Sequence, residues 1–373
     1  MKNFFKNYMF KKKVIIAMSG GIDSSFSAWL LKKQNYQVEA LFMKNWEEDD
    51  ITNNCNIKKD LFYVEHICKK LNIILHKINF ATEYWDFVFK KFLSEYKKGY
   101  TPNPDILCNK IIKFKYFMNF AFKNLGADFI STGHYVRCKK IKNQYSLLKG
   151  IDKNKDQSYF LYTIKEKQLK KILFPMGGLK KTEVRYFARK FKFINARKKD
   201  STGICFIGEK NITNFLSKYL PSKKGNIIDI NGNIIGIHKG LIHYTIGQRK
   251  RIGLGGSLYY GNKPWYVYKK NIKKNTLVVV QNRKNLYLYF IGLILKKISW
   301  INNNYPDVSK TYTLKTRYRQ KEVKCKIFIL KNNKIKVYFN YPIFSITPGQ
   351  SAVFYSEDIC LGGGIIEKGI SVV

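Results

Sequence analysis

Two cysteines stand among residues that could set a thiol to work. Cys108 closes the stretch "TPNPDILC", three residues after Asp105. Pro102 and Pro104 stiffen the turn before it. If a helix starts after Pro104, Asp105 and Cys108 share one face. A carboxylate there can accept a proton from a thiol, or disfavour a thiolate by repulsion. Cys205 lies 97 residues further on, in "KKDSTGICFIG". Lys198, Lys199 and Lys210 make that approach electropositive, which lowers a thiol pKa. Gly203 lets the loop move. Cys55, Cys68, Cys138, Cys325 and Cys360 have no such surroundings and read as small packing residues.

The third chemical feature is "AMSGGIDSS", Ala17 to Ser25. Two glycines allow close backbone approach to an anion. Ser19, Ser24 and Ser25 add hydroxyls, and the loop opens a helix whose N-terminus favours phosphate. It lacks the lysine of G-x-x-x-x-G-K-[ST] and is not G-x-G-x-x-G. The plain alternative is a glycine turn between a strand and a helix.

The elements around these residues give them a frame. Short apolar runs at 14–18, 38–43, 73–80 and 128–133 read as strands. A stretch after the first strand, to about Gln34, and residues 58–71, 84–96 and 111–125 read as helices. Such alternation implies right-handed crossovers and a parallel sheet covered on both faces. Ligands then sit beyond the carboxyl ends of the strands. From about residue 225 the pattern becomes all-β. "IIDINGNIIG" is a hairpin across Asn231–Gly232, and "NTLVVV", "TYTLKTRYRQ", "VKCKIFIL", "KIKVYFN" and "SAVFY" are short strands. Three domains are expected: residues 1–215 Rossmann-like, 216–281 small and β-rich, and 282–373 a β-barrel.

Composition narrows the setting. The 373 residues carry a net charge of +44 and are 45% hydrophobic, which fits a globular chain. Nine of the 69 basic residues are Arg, leaving 60 Lys. A surface facing RNA or DNA would account for this; so would lysine-rich drift of the genome. Seven scattered cysteines without a CxxC or Cys/His cluster predict a reducing, cytoplasmic setting and no structural metal. The run "VIIAM" is too short for a signal peptide, and no transmembrane helix is expected.

"SGGIDSS" resembles the pyrophosphate loop of the ATP pyrophosphatases. "LFMKNWEEDD", "GYTPNPDILCNKIIKFK", "ADFISTGHYV", "NKDQSYFLY", "KKDSTGICFIGE", "YTIGQRK", "KTRYRQ" and "TPGQSAVFY" together resemble the bacterial tRNA-specific 2-thiouridylases, from about residue 13 to 367. The likeness departs at Arg251, where a small residue is expected. The resemblance implies an ATP-dependent tRNA-uridine 2-sulfurtransferase acting on wobble uridine 34 of the Lys, Glu and Gln tRNAs. Its C2 oxygen would be adenylated and replaced by persulfide sulfur. Cys108 becomes the nucleophile and Cys205 the persulfide carrier, with a disulfide between them after transfer. Asp105 serves proton transfer or contacts the base. Asn103, Pro104 and Asp105 face the target uridine.

ATP with Mg²⁺ is assigned to Ala17, Met18, Ser19, Gly20, Gly21, Ile22, Asp23, Ser24, Met43 and Gly133, with Asp23 helping to hold the magnesium. tRNA is assigned to His134, Lys155, Asp156, Gln157, Arg317, Tyr318 and Gln350, where Arg317 and Tyr318 pair a phosphate fork with a stacking ring. The other expected partner is a persulfide donor, either a relay carrier or a cysteine desulfurase. The protein is expected to be monomeric and independent of membranes. Another ATP pyrophosphatase, such as an amidotransferase-type ligase, would need a glutaminase segment or an ammonia channel. A non-catalytic RNA-binding module would not need two special thiols.

Overall fold

The computed structural model describes residues 11–46, 56–200, 212–255 and 261–373. The chain divides into two compact units. One comprises residues 1–85, 108–158 and 164–201; the other 86–107, 159–163 and 202–373.

The first unit is built on a parallel sheet in the order β3-β2-β1-β4-β7. Its strands are β1 (Lys13–Met18), β2 (Gln37–Lys44), β3 (Leu75–Asn79), β4 (Phe129–Ser131) and β7 (Ile172–Leu173). β1 is "KVIIAM", and its last five residues are all buried. That continuous apolar run suits a strand covered on both faces. Helix α1 (Ile22–Lys33) packs seven residues inward, three of them serines small enough to admit close neighbours. Helix α2 (Asn56–Leu71) adds Val64, Ile67, Cys68 and Leu71 to the same core, with Val184 and Ala188 from the Lys181–Lys190 helix.

An antiparallel hairpin, β5 (Val136–Ile141) with β6 (Gln144–Lys149), also belongs to this unit. It was not foreseen. Its tight turn places Lys142 and Asn143 at positive φ, a geometry usually announced by glycine.

The second unit holds two β structures. Strands β8 (Gly225–Ile228), β9 (Ile234–His238), β10 (Trp265–Asn271) and β11 (Thr276–Gln281) form a sheet in the order β10-β11-β8-β9 around Ile227, Val267, Leu277 and Val279. The expected 231–232 hairpin is present. Asp229 shapes its turn by accepting from the amides of Asn231 and Asn233 at 2.9 and 2.8 Å.

Strands β12 (Tyr289–Trp300), β13 (Tyr312–Lys315), β14 (Val323–Leu330), β15 (Lys334–Phe344), β16 (Ser351–Ser356) and β17 (Ile359–Ser371) close into a barrel, because β12 pairs with both β15 and β17. The fold class is therefore the expected one: a Rossmann-like parallel sheet, a small β-rich segment and a C-terminal barrel. The expected strand 311–320 stops at Lys315. There the Gln320 carboxamide oxygen accepts from the amide and hydroxyl of Thr316 at 2.9 and 2.6 Å and turns the chain. Among the described residues, no helix is long and apolar enough to cross a membrane.

Candidate active site

The loop 19–21 joins β1 to α1 at the carboxyl end of the sheet, where nucleotide sites form in such folds. Gly20 has φ +70°, and a Cβ on it would stand 2.6 Å from the Asp60 carbonyl oxygen. Only glycine fits. The Gly20 carbonyl accepts from the Asn195 amide at 3.1 Å and the Lys198 ammonium at 3.2 Å. In a trans peptide the following N–H points the opposite way. Anchoring that carbonyl therefore turns the Gly21 amide outward, as anion binding requires.

Ser24 and Ser25 both donate to the Gly21 carbonyl at 3.0 Å, and Ser24 Oγ accepts from the Ser19 amide at 3.3 Å. Two of the three serines thus shape the loop. Ser19 is the exposed one. Ala17, Met18 and Ile22 are buried beneath it, Met43 lies at the end of β2, and Gly133 abuts the backbone of Asp23 and Ser24.

Asp23, in the first turn of α1, is the centre of a charged network. Its carboxylate accepts from Lys181 Nζ at 2.6 and 2.8 Å and from the Tyr135 hydroxyl at 2.7 Å. Burial, with Asp23 alongside, pushes the Tyr135 pKa up, so this hydroxyl stays a donor. Lys181 also pairs with Asp200 at 2.9 Å. Asp200 is held in addition by Arg185 at 2.6 Å and by Lys155. Burial raises the Asp200 pKa, but the bonds from Lys155 and Lys181 outweigh it and bring it down to about 2.

The triplet 155–157 borders this network. Lys155 reaches Asp200. Asp156 is buried and accepts from the Gly150 amide and from Ser158. Gln157 Oε1 accepts from the Tyr135 amide at 2.9 Å. In this structure Asp156 and Gln157 brace the chain beside Tyr135, where the sequence suggested RNA contacts. His134 is likewise buried, with Nδ1 2.7 Å from the Thr132 hydroxyl. Burial and nearby Lys113 hold its pKa well below the ordinary value, so it is neutral at pH 7.

Lys198, expected beside the Cys205 thiol, bonds Asp60 and the Gly20 carbonyl of the phosphate loop and lies over the Tyr63 ring at 4.7 Å. Cys205 and Lys210 lie outside the described residues.

The "TPNPD" turn leads into the helix Pro104–Cys108. Asn103 Oδ1 accepts from the Asp105 amide at 3.1 Å and so caps that helix. Pro104 is buried at its first position, and Asp105 and Cys108 stand three residues apart as expected. Cys108 is 1% exposed, and a π-helical stretch, Asn109–Phe117, follows it directly.

The turn is fastened within its own unit. The Thr101 amide donates to the Pro348 carbonyl at 3.0 Å, and Gln350 Nε2 donates to the Thr101 carbonyl at 2.6 Å. Gly349, at φ +92°, lets the chain press against Tyr100 and Thr101; a Cβ on it would stand 2.8 Å from the Tyr100 Cβ. Arg317 Nη2 donates to Ser345 O and Oγ at 3.0 Å and to Thr347 Oγ1 at 2.9 Å, just before that segment. Tyr318 packs on Phe160 with ring centres 4.4 Å apart. Arg251, at φ +62°, lines a cavity of about 240 Å³ with Arg249, Lys263 and Trp265.

The comparisons with known proteins bear on the whole chain. Residues 12–209 match the model of the tRNA methyl transferase HUP domain, 213–281 that of the tRNA methyl transferase PRC-barrel domain, and 291–366 that of the aminomethyltransferase beta-barrel domain. The tRNA-specific 2-thiouridylase MnmA of Buchnera aphidicola subsp. Acyrthosiphon pisum is 60% identical over 96% of this chain and 97% of its own. That of Proteus mirabilis is 54% identical over 96% of this chain and 98% of its own. The chain belongs to the tRNA-specific 2-thiouridylase family.

The solved U34-tRNA thiolase NcsA from Methanococcus maripaludis aligns with 56% of the chain and 67% of its own, at 17% identity and a TM-score of 0.35, too distant to add weight. Within the 2-thiouridylase frame, sequence reasoning missed Tyr135, Lys181, Arg185, Asn195 and Asp200. Lys181 is only one of many lysines in sequence; a buried lysine between two carboxylates appears once the chain has folded. Among the described residues no group of three or more His, Cys, Asp or Glu could hold a metal ion.

Proposed function

We propose that the protein thiolates C2 of the wobble uridine of tRNA at the expense of ATP. The observation that carries this reading is the phosphate loop, its Gly20 carbonyl pinned by Asn195 and Lys198, in a chain that matches a 2-thiouridylase over 96% of its length. The loop amides and the α1 N-terminus suit the phosphates, with Met43 and Gly133 at neighbouring strand ends. Asp23 is the carboxylate that would hold Mg²⁺, once Lys181 gives it up.

ATP supplies an adenylyl group that makes the C2 oxygen a leaving group. We assign Cys205 as the persulfide carrier and Cys108 as the second thiol. The terminal persulfide sulfur bonds C2 as AMP departs. The Cys108 thiolate then attacks Cys205 Sγ and breaks the S–S bond. This releases the 2-thio base and leaves a Cys108–Cys205 disulfide, which a cellular dithiol reduces. Cys108 is buried here, so tRNA binding has to uncover it. Asn103 and Asp105 would meet the uracil edge.

The Lys, Glu and Gln tRNAs, a persulfide donor, a cytoplasmic location and a monomeric state complete the reading. The test is a single turnover with ATP, unmodified tRNA and a persulfide donor, without reductant. Pyrophosphate, 2-thiouridine and a Cys108–Cys205 disulfide should appear together. Thiolated tRNA with both cysteines still reduced and unlinked would refute the disulfide step, and no pyrophosphate would refute the ATP reading.

A further inference from the structure

Lys181 is a buried lysine, its side chain 8% exposed, with Nζ on Asp23 of the phosphate loop and on Asp200. A buried ammonium needs an anion beside it. Its two carboxylates do not depend on it equally. Asp200 keeps Arg185 and Lys155 without it. Nearby Asp152 accepts from the backbone amides of Lys181 and Asn154. Asp23 would retain the Tyr135 hydroxyl.

Among the described residues, Lys198 is the other lysine bonded to the loop, and it is turned to the Gly20 carbonyl and Asp60, on the side opposite the Gly21 amide. Lys181 is therefore the cation placed to change partners.

We propose that Lys181 is a pyrophosphate-binding residue, resting on Asp23 in the nucleotide-free protein and transferring to the β- and γ-phosphates when ATP arrives. This rests on the reading of the site as an ATP site. The exchange keeps the buried ammonium paired throughout. It also releases the Asp23 carboxylate at the moment a polyphosphate enters.

Calorimetric titration of the full chain with ATP, inorganic pyrophosphate and AMP tests it. Lys181→Gln should weaken ATP and pyrophosphate by about 10- to 100-fold, the worth of a charge-assisted bond. AMP affinity should hold within about twofold, and Lys181→Arg should restore most of the loss. Equal losses for AMP and ATP, or no loss, would overturn the proposal.

Asp23→Asn supplies a second measurement that leaves Lys181 itself in place, still paired with Asp200. With chelator present, it should bind pyrophosphate at least as tightly as the wild type, because Lys181 has lost its competitor. Weaker binding would overturn the exchange. A wild-type protein that bound neither ATP nor pyrophosphate would instead refute the ATP reading.

Discussion

The phosphate loop and the "TPNPD" turn differ in how far charge takes part in holding them. The loop is surrounded by ions: Asp23, Lys181, Asp200, Arg185, Lys155, and Lys198 with Asp60. At the turn the fastenings to residues 348–350 are neutral: the main chain of Thr101 and Pro348, the Gln350 carboxamide and the close approach at Gly349. The difference follows what each is proposed to receive. A polyanion can be met by salt bridges that exchange partners. A neutral base requires alignment, and short uncharged bonds hold position without titrating or responding strongly to salt.

The contrast is sharpest at Asp23. Asp23→Ala should cut tRNA-dependent pyrophosphate release by roughly 100-fold or more, as loss of a preorganised charged group does, while tRNA binding persists. Full adenylation activity in that variant would dismiss the loop as the ATP site.

Gln350→Ala is the matching experiment at the turn. Turnover should fall roughly 10-fold as the turn shifts, with tRNA affinity changed by no more than about twofold. If affinity fell as far as turnover, Gln350 would be an RNA contact and the contrast would fail.

Arg317 comes next. Its Nη2 joins Ser345 and Thr347, and burial lowers its pKa. Arg317→Ala leaves those oxygens unpaired and should cost about 1–3 kcal/mol of stability in urea unfolding. Unchanged stability with weaker tRNA binding and a shallower salt slope would return Arg317 to the RNA face.

The smallest effect concerns His134. Its folded pKa is depressed, so below the ordinary value of about 6.5 the unfolded chain binds more protons. Stability should be complete above that pH and fall as pH drops through it, by at most about 1.4 kcal/mol per unit. Melting between pH 7.5 and 5.5 should show this, and His134→Gln should flatten the slope.

How legible each part was in the sequence depended on how local its cause is. β1 and β2 declare themselves as apolar runs, and Gly20 declares a turn. The helix around Cys108 follows from Pro104 and the cap at Asn103. β17 was hidden because "LGGG" reads as a loop; the glycines are there because neighbouring strands crowd them, with a Cβ on Gly363 standing 2.3 Å from the Ala352 carbonyl oxygen. Cys68 and Cys325 are buried and Cys138 half-buried; burial pushes Cys68 and Cys138 up to about 11 and Cys325 up to about 12. The ion network was illegible because its members are far apart in sequence. Nor does anything local to Lys155–Asp156–Gln157, assigned to tRNA by the resemblance, show that Lys155 reaches Asp200 and Gln157 the Tyr135 amide.

Those long separations also bear on how the protein comes to be made. The Gly20 carbonyl is anchored by Asn195 and Lys198, residues 175 and 178 positions later in the chain, and Asp23 by Lys181, 158 positions later. Closing such loops is slow relative to local helix and strand formation. A ribosome therefore releases "SGGIDSS" long before the residues that set its geometry. Until Asn195 has emerged, the nascent chain carries the whole motif without the fasteners that turn its amide outward, and it gains a nucleotide pocket only as synthesis of this unit ends.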